Sequence, residues 1–296
     1  MTYILWIFGS TVLFSVQFLF KKLFQKGEGS SAGIAIMSSL LSTVFAILLL
    51  VARGKTAFEF SWFSFAIASL HALRAVTMSF MSIKVLEKAN LSVFSLFSQI
   101  GGTLLPFVFA IIFYGENLTW QKSVCMALLI VAMYCDMSGR RKGKSGDEKK
   151  KGSAVFWCMG VFLLNGLSGV FAKIHQSAPD AIAVSSSAYT MLEKIISLVL
   201  SSLLMVYFIR RGESVKLKYP VSSVFYIGAG AVLNTIANLI LLMALEHVDA
   251  SVQYPIVTGG IIVLSLLLEP ISGSRPKKYT AIAAAISLVG LIFLAL

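Results

Sequence analysis

Residues 138–152 read SGRRKGKSGDEKKKG, a Gly-punctuated, charged segment with nothing to bury. On either side the chain turns almost continuously apolar: 119–137 is TWQKSVCMALLIVAMYCDM, and 153–172 is SAVFWCMGVFLLNGLSGVFA. Each has the length a helix needs to cross a hydrocarbon core of roughly 30 Å. Working outward, 3–20, 32–52, 61–83 and 91–114 repeat the pattern on one side, and 181–209, 220–245, 250–271 and 279–296 on the other. The segment therefore splits ten runs five and five. Lipid offers the backbone no hydrogen-bond partner, so the runs read as helices, and the alternating polarity of barrel strands is absent. The expected fold is an all-α integral membrane protein of ten transmembrane helices. Its units are 1–137 and 153–296, joined by the basic linker 138–152.

Composition excludes other classes. Of 296 residues, 57% are apolar and 13% charged, with a mean hydropathy of +0.86. A soluble globular domain carries about a quarter charged residues. Collagen, coiled coil, disordered tail and disulfide-stapled secreted domain fall with the same figures, and neither a P-loop nor a dinucleotide fingerprint is present. Cys125, Cys135 and Cys158 lie inside apolar runs without metal-ligand spacing, and read as small buried side chains. His71, His175 and His247 are scattered, so no metal site or cofactor is expected. The net charge of +12 does not point to nucleic acid, because the basic residues sit at the ends of apolar runs, beside lipid headgroups. The first run reads as a span and not a signal peptide: it lacks a basic leader, and Lys21 and Lys22 follow it.

The basic residues are also uneven in side. Lys21, Lys22, Lys26, Lys84, Lys88, the linker's lysines and arginines, Arg210, Arg211, Lys216, Lys218, Arg275, Lys277 and Lys278 share one side. Arg53, Lys55, Lys122 and Lys173 share the other. The positive-inside rule places the linker in the cytoplasm and both termini outside, in a multi-pass protein of the plasma membrane.

The halves align as copies. A shift of 159 brings Leu86, Glu87, Ser92, Val93, Gly101 and Leu105 onto Leu245, Glu246, Ser251, Val252, Gly260 and Leu264. A shift of 151 brings Trp6, Gly9, Leu13, Phe20, Lys22 and Gln25 onto Trp157, Gly160, Leu164, Phe171, Lys173 and Gln176. With five spans each, the second copy enters the membrane in the opposite sense, the arrangement built around a midplane site exposed to each side in turn.

In two stretches the chain resembles the drug/metabolite transporter superfamily, in its ten-helix form with two EamA-type domains. One is LPFVFAIIFYGENLTWQKSVCMALLIVAMY (105–134), with an early proline, a closing Gly-Glu and a small-residue final helix. The other is ALEHVDASVQYPIVTGGIIVLSLLLEP (244–270), with Pro255 and paired Gly259 and Gly260. The resemblance implies a carrier of amino acids, sugars, nucleotide sugars, cations or drugs. Short multidrug relatives carry an acid eight positions before a lysine in the first helix. Here Asn165 and Phe14 stand at those places, which argues against their proton/cation route. Gly273-Ser274 stands where Gly115-Glu116 would lead one to expect a second glutamate.

Polar residues at mid-membrane depth mark the candidate site, since an ionised group there costs roughly 3 kcal/mol or more. Arg74 lies one turn from His71 on a common face. Glu193 and Lys194 are adjacent, diverge by about 100° around a helix, and are not expected to pair with each other. The simplest arrangement has Glu193 facing Arg74 or Lys194 facing another partner, all turned inward, either as a packing salt bridge or as substrate contacts. Gln17, Gln99, Asn165, Asn234, Asn238, Gln253 and Tyr254 can line a cavity or join helices. Pro106 and Pro255 interrupt their helices' hydrogen bonding and read as hinges. Trp6, Trp62, Trp120 and Trp157 fall near span ends, as interfacial anchors do.

The sequence thus reads as a secondary transporter moving a small metabolite by alternating access, as an exporter, with the bilayer and the solute as its partners. A coupling proton or a counter-solute would drive it. Arg74, Glu193 and Lys194 sum to one positive charge, which favours an amino-acid-like, anionic or zwitterionic solute. The alternatives are a multidrug or cationic-compound efflux carrier and, in another class, a membrane-embedded enzyme or sensor.

Overall fold

The structure, a computed structural model, describes residues 2–28, 32–52, 59–88, 91–140, 151–179, 181–212, 218–268, 270–272 and 278–295. These residues form the helices α1 (Thr2–Glu28), α2 (Ala32–Ala52), α3 (Trp62–Lys88), α4 (Leu91–Tyr114), α5 (Trp120–Arg140), α6 (Lys151–Gln176), α7 (Ser186–Arg210), α8 (Val221–Ala244), α9 (Ala250–Leu268) and α10 (Lys278–Ala295). A single 3-10 turn, Pro270–Ser272, follows α9, and no strand occurs among the described residues. Linker residues 141–150, Asn90, Glu269, Gly273 and Ser274 lie outside the described residues, as do the side chains of Lys84, Glu87 and Lys88.

Helix ends follow local chemistry. After Tyr114 the chain turns at Gly115, and after Arg211 at Gly212, whose φ angles of 64° and 78° a side chain would strain. The run 181–209 is shorter as a helix than its apolar pattern suggests, because α7 begins only at Ser186. Residues just before it spend their polar groups elsewhere. Val184 N donates to Ser64 Oγ at 3.0 Å, Ser185 N to Glu59 Oε2 at 2.7 Å, and Ser61 Oγ to the Ile182 carbonyl. With those groups satisfied by the 59–64 segment, the helix need not extend, and Ser185 caps it by accepting from Ala188 N. Likewise 250–271 ends as α9 at Leu268, ahead of Pro270.

Seven of the helices are long and apolar enough to cross a membrane: Tyr3–Lys21, Phe97–Tyr114, Phe156–Gln176, Ser186–Arg210, Val221–Ala244, Ala250–Leu268 and Lys278–Ala295. Shorter apolar stretches lie in α2 (Ile36–Ala52) and α5 (Trp120–Cys135). The burial pattern is the reverse of a soluble protein's. Leu5, Phe113, Leu203 and Phe225 are exposed, whereas Ser10, Thr11, Ser64, Ser251 and Ser287 are buried. An apolar exterior this extensive suits lipid and would aggregate in water. Some buried hydroxyls are satisfied within their own helices: Thr11 Oγ1 donates to the Ile7 carbonyl at 2.7 Å and Thr235 Oγ1 to that of Ala231 at 2.8 Å. Trp62 and Trp120, at the starts of α3 and α5, are exposed.

The packing scheme is simple. α1 lies on α8 and α9, α6 on α3 and α4, α2 on α7 and α8, α3 on α7, α5 on α10, and α4 on α9. Exchanging each helix for the one five places away returns the same main pairings. The tightest seam is α4 on α6: a Cβ on Gly101 would stand 2.1 Å from the Phe162 carbonyl oxygen, and one on Gly166 2.6 Å from the Gly101 oxygen. Backbones meet there with no room for a methyl group.

Candidate functional site

A cavity of about 860 Å³ opens among α1, α3, α4, α6, α7, α8 and α9. His71 and Arg74 reach it from α3, Gln99 from α4, Asn165 from α6, Glu193 and Lys194 from α7, Asn234 and Asn238 from α8, and Gln253 and Tyr254 from α9. The helical spacing of these residues turns them all inward. Gln17 is the exception. It is not on the cavity wall, and its side chain instead lies beside Gly230 of α8.

His71 is held at both ring nitrogens, Nδ1 3.0 Å from Tyr189 OH and Nε2 3.0 Å from Ser168 Oγ, so it ties α3 to α7 and α6. Arg74 Nη1 donates to the Leu164 carbonyl at 3.4 Å, while its buried Nε has no partner. Glu193 does not ion-pair with Arg74. Its Oε2 lies 2.9 Å from Lys194 Nζ, correcting the expectation that neighbours on a helix cannot pair. The 100° divergence holds for Cβ directions, but a lysine's four-carbon stem can curl back around the helix, and inside a protein a buried carboxylate rewards it. Asn238 Nδ2 donates to Asn234 O at 2.8 Å and Oδ1 at 3.1 Å, so the two share a face as expected. Asn165 Nδ2 donates to the Ser98 carbonyl at 2.6 Å, and Tyr254 OH to that of Gly169 at 3.2 Å.

Ser98, Thr103, Ser168, Tyr189, Thr190 and Thr258 also line the cavity. Sequence reasoning passes them over, because a hydroxyl in an apolar helix is normally satisfied by its own backbone and announces no direction. Thr103 and Thr258 face each other, Oγ1 to Oγ1 at 2.6 Å, joining α4 to α9.

A layer of charges lies at the helix ends next to the cavity, built where the 59–64, 115–119, 177–185 and 245–249 segments meet. Glu116 is its centre: its carboxylate lies 2.8 Å from Lys173 Nζ and accepts from Ala250 N at 2.9 Å and Ser251 N at 2.8 Å. It thus caps the N-terminus of α9, where orphan N–H groups and the helix dipole favour an anion. Lys122 Nζ lies 3.0 Å from Asp249 Oδ2 and donates to Ser251 Oγ at 2.8 Å. Ser186 Oγ accepts from Gln176 and donates to Glu246 Oε1, each at 2.9 Å. His175 Nε2 meets Ser64 Oγ at 3.0 Å. Pro106 and Pro255 both lie between this layer and the middle of the bundle. A Cβ on Gly169 of α6 would stand 2.8 Å from Pro106 and 2.7 Å from the Tyr254 ring. Both prolines therefore lie on the charged layer's side of the bundle centre.

Burial works against the charged form of Glu116, yet hydrogen bonds from Lys173, Ser251 and Ala250 outweigh it and hold the carboxyl below the usual carboxylate range. Unfolded, the group titrates near its ordinary value of about 4. Its stabilisation is therefore fully present above that value and is lost as pH falls through the depressed folded value. The melting temperature in detergent should fall below about pH 4, and Glu116→Gln should make that acid fall shallower. An unchanged acid limb in the variant would remove Glu116 from the account.

No family model matches the chain, and no curated protein matches it in sequence. The fold has a solved counterpart. A structure described only as "Crystal structure of protein" superposes with a TM-score of 0.75, covering 99% of this chain and 96% of that one at 17% identity. At that identity the likeness is one of fold alone.

Proposed function

We propose that the protein is a secondary carrier that moves a small solute across the plasma membrane by alternating access, as an exporter. The observation that carries this reading is a charged cavity in the middle of an apolar helical bundle, with an ion-paired layer at the helix ends beside it. A buried Glu193 and a half-buried Arg74 and Lys194 are costly to keep in lipid, and they face a space that a solute could occupy. We read the ten helices as ten spans in two inverted five-helix repeats. Two features support that. The main helix pairings recur under a shift of five. Gly101 and Gly260, matched in the internal alignment, occupy counterpart seams: Gly101 on α6, and Gly260 on α1, where an added Cβ would stand 2.6 Å from Thr11 Cγ2. The resemblance to drug/metabolite transporters points the same way. The solute class expected from sequence is amino-acid-like, anionic or zwitterionic, with a proton or counter-solute coupled to it.

On this reading the charged layer is a gate, and α4 and α9 part near Pro106 and Pro255 when it opens. A Thr103→Cys/Thr258→Cys variant, made with the native cysteines replaced, tests it. Proteoliposomes loaded with a defined mixture of amino acids and organic acids should release a subset, read by mass spectrometry. Oxidation should cross-link α4 to α9 and stop release, and a reductant should restore it. Release unaffected by full cross-linking would defeat alternating access, and release no faster than from protein-free vesicles would defeat transport.

A further inference from the structure

The charges on the cavity wall do not balance. Among the described lining residues Lys21, Arg74 and Lys194 are cationic, and Glu193 is the one acid. That acid is already spent inside the protein: Oε2 lies 2.9 Å from Lys194 Nζ, and Oε1 accepts from Ser197 Oγ at 3.4 Å. Arg74 is the opposite case. Among the described residues no carboxylate lies within salt-bridging distance of it. Its Nε is unpartnered, and its Nη1 makes only the 3.4 Å contact to Leu164 O. A guanidinium carries five N–H donors in a fork that fits a carboxylate. Most of Arg74's are unspent.

With Glu193 and Lys194 cancelling each other, the bundle centre keeps one positive charge, at Arg74. A buried cation without a counter-ion is unfavourable until an anion enters. Lys21, exposed where α1 borders the cavity, adds a positive field along the approach. A zwitterion would also need a counter-charge for its ammonium group, and the only carboxylate on the described wall is taken. Beside the polar groups already named, the wall carries large apolar side chains, among them Phe14, Phe18, Leu19, Met78 and Ile261. Those side chains would bury a hydrocarbon or aromatic body.

We propose that the solute held here is an organic monoanion, a carboxylate on an apolar or aromatic body, seated with its carboxylate on Arg74 and without an ammonium group beside it. This rests on the carrier reading and narrows its solute class from anions and zwitterions to anions.

The test uses four probes that share a ring and differ in charge: phenylpropanoate, its neutral amide phenylpropanamide, the zwitterion phenylalanine and the cation phenethylamine. Binding to the purified full chain is read by calorimetry and by the rise in melting temperature. Phenylpropanoate should bind about ten- to a hundred-fold more tightly than each of the others, the range a charge-assisted hydrogen bond supplies. Arg74→Gln should reduce carboxylate binding to the level of the amide. Should that variant not fold, Arg74→Lys, which keeps the charge and loses the fork, should give an intermediate loss. Glu193→Gln separates the rival readings: by releasing Lys194 it should tighten carboxylate binding, whereas a site for an ammonium group would lose its ligand. Tighter binding of phenylalanine or phenethylamine, or loss of carboxylate binding in Glu193→Gln, overturns the inference. So does binding of none of the four. In each case the vesicle-release experiment decides separately whether the protein transports at all.

Discussion

Glu116→Ala is expected to destabilise the protein by about 3–5 kcal/mol, the usual cost of removing one partner from a buried ion pair. Three groups lose their acceptor together. Lys173 Nζ, on a side chain only 10% exposed, is left charged and unpaired, and the N–H groups of Ala250 and Ser251 at the start of α9 are left uncapped. The measurement is thermal unfolding in detergent, with the transition followed by loss of helicity. Adding Lys173→Met should recover part of the loss, because removing both partners of a buried pair is far milder than removing one. The neighbouring pair gives an internal comparison. Asp249 is half exposed in its pairing with Lys122, so Asp249→Asn should cost no more than about 1 kcal/mol. If Glu116→Ala and Asp249→Asn prove equally mild, the layer is solvated and is no seal. Should the seal be a gate, the variant should also leave the cavity reachable from that end, read as labelling of Thr190→Cys by an impermeant maleimide.

Much of this layout is legible in the chain alone. Intramembrane charge is so costly that Arg74, Glu193 and Lys194 could only point inward, and i/i+4 spacing puts Asn234 and Asn238 on one face. Hydrophobic runs locate the helices because each is bounded by a Lys, Arg, Gly or Pro that lipid rejects. Pairing is not legible. Glu116, Lys122, Lys173 and Asp249 each read as an ordinary interfacial charge at a helix end, since the segments that bring them together are far apart in sequence. Gln17 shows the converse limit: a glutamine at cavity depth need not line the cavity, and this one lies beside Gly230 of α8. The Glu193–Lys194 pair escapes a sequence reading because helix geometry constrains Cβ directions and leaves a long lysine stem free to bend. Helix starts misread where another segment supplies the hydrogen bonds, as Ser64 and Glu59 do ahead of α7.

Gly101→Ala should be the most damaging single methyl group the bundle can receive. The new Cβ would fall 2.1 Å from the Phe162 oxygen and 2.7 Å from both its carbonyl carbon and Cα. All three are backbone atoms, so no rotamer change relieves the clash, and α4 and α6 must separate. Separation reaches the cavity directly, because the Asn165–Ser98 hydrogen bond spans the same seam and Arg74 rests on the Leu164 carbonyl of α6. Overpacking ordinarily costs about 1–3 kcal/mol, and a backbone-to-backbone clash belongs at or above the top of that range. Gly9→Ala is the matched control. A methyl group at that position on α1 would have nothing within 4 Å of it. There the substitution only raises helix propensity, by up to about 1 kcal/mol. The two variants should therefore shift the melting temperature in opposite directions. A Gly101→Ala protein that melts with the parent would mean that α4 and α6 do not meet backbone to backbone, and with them one wall of the cavity would have to be redrawn.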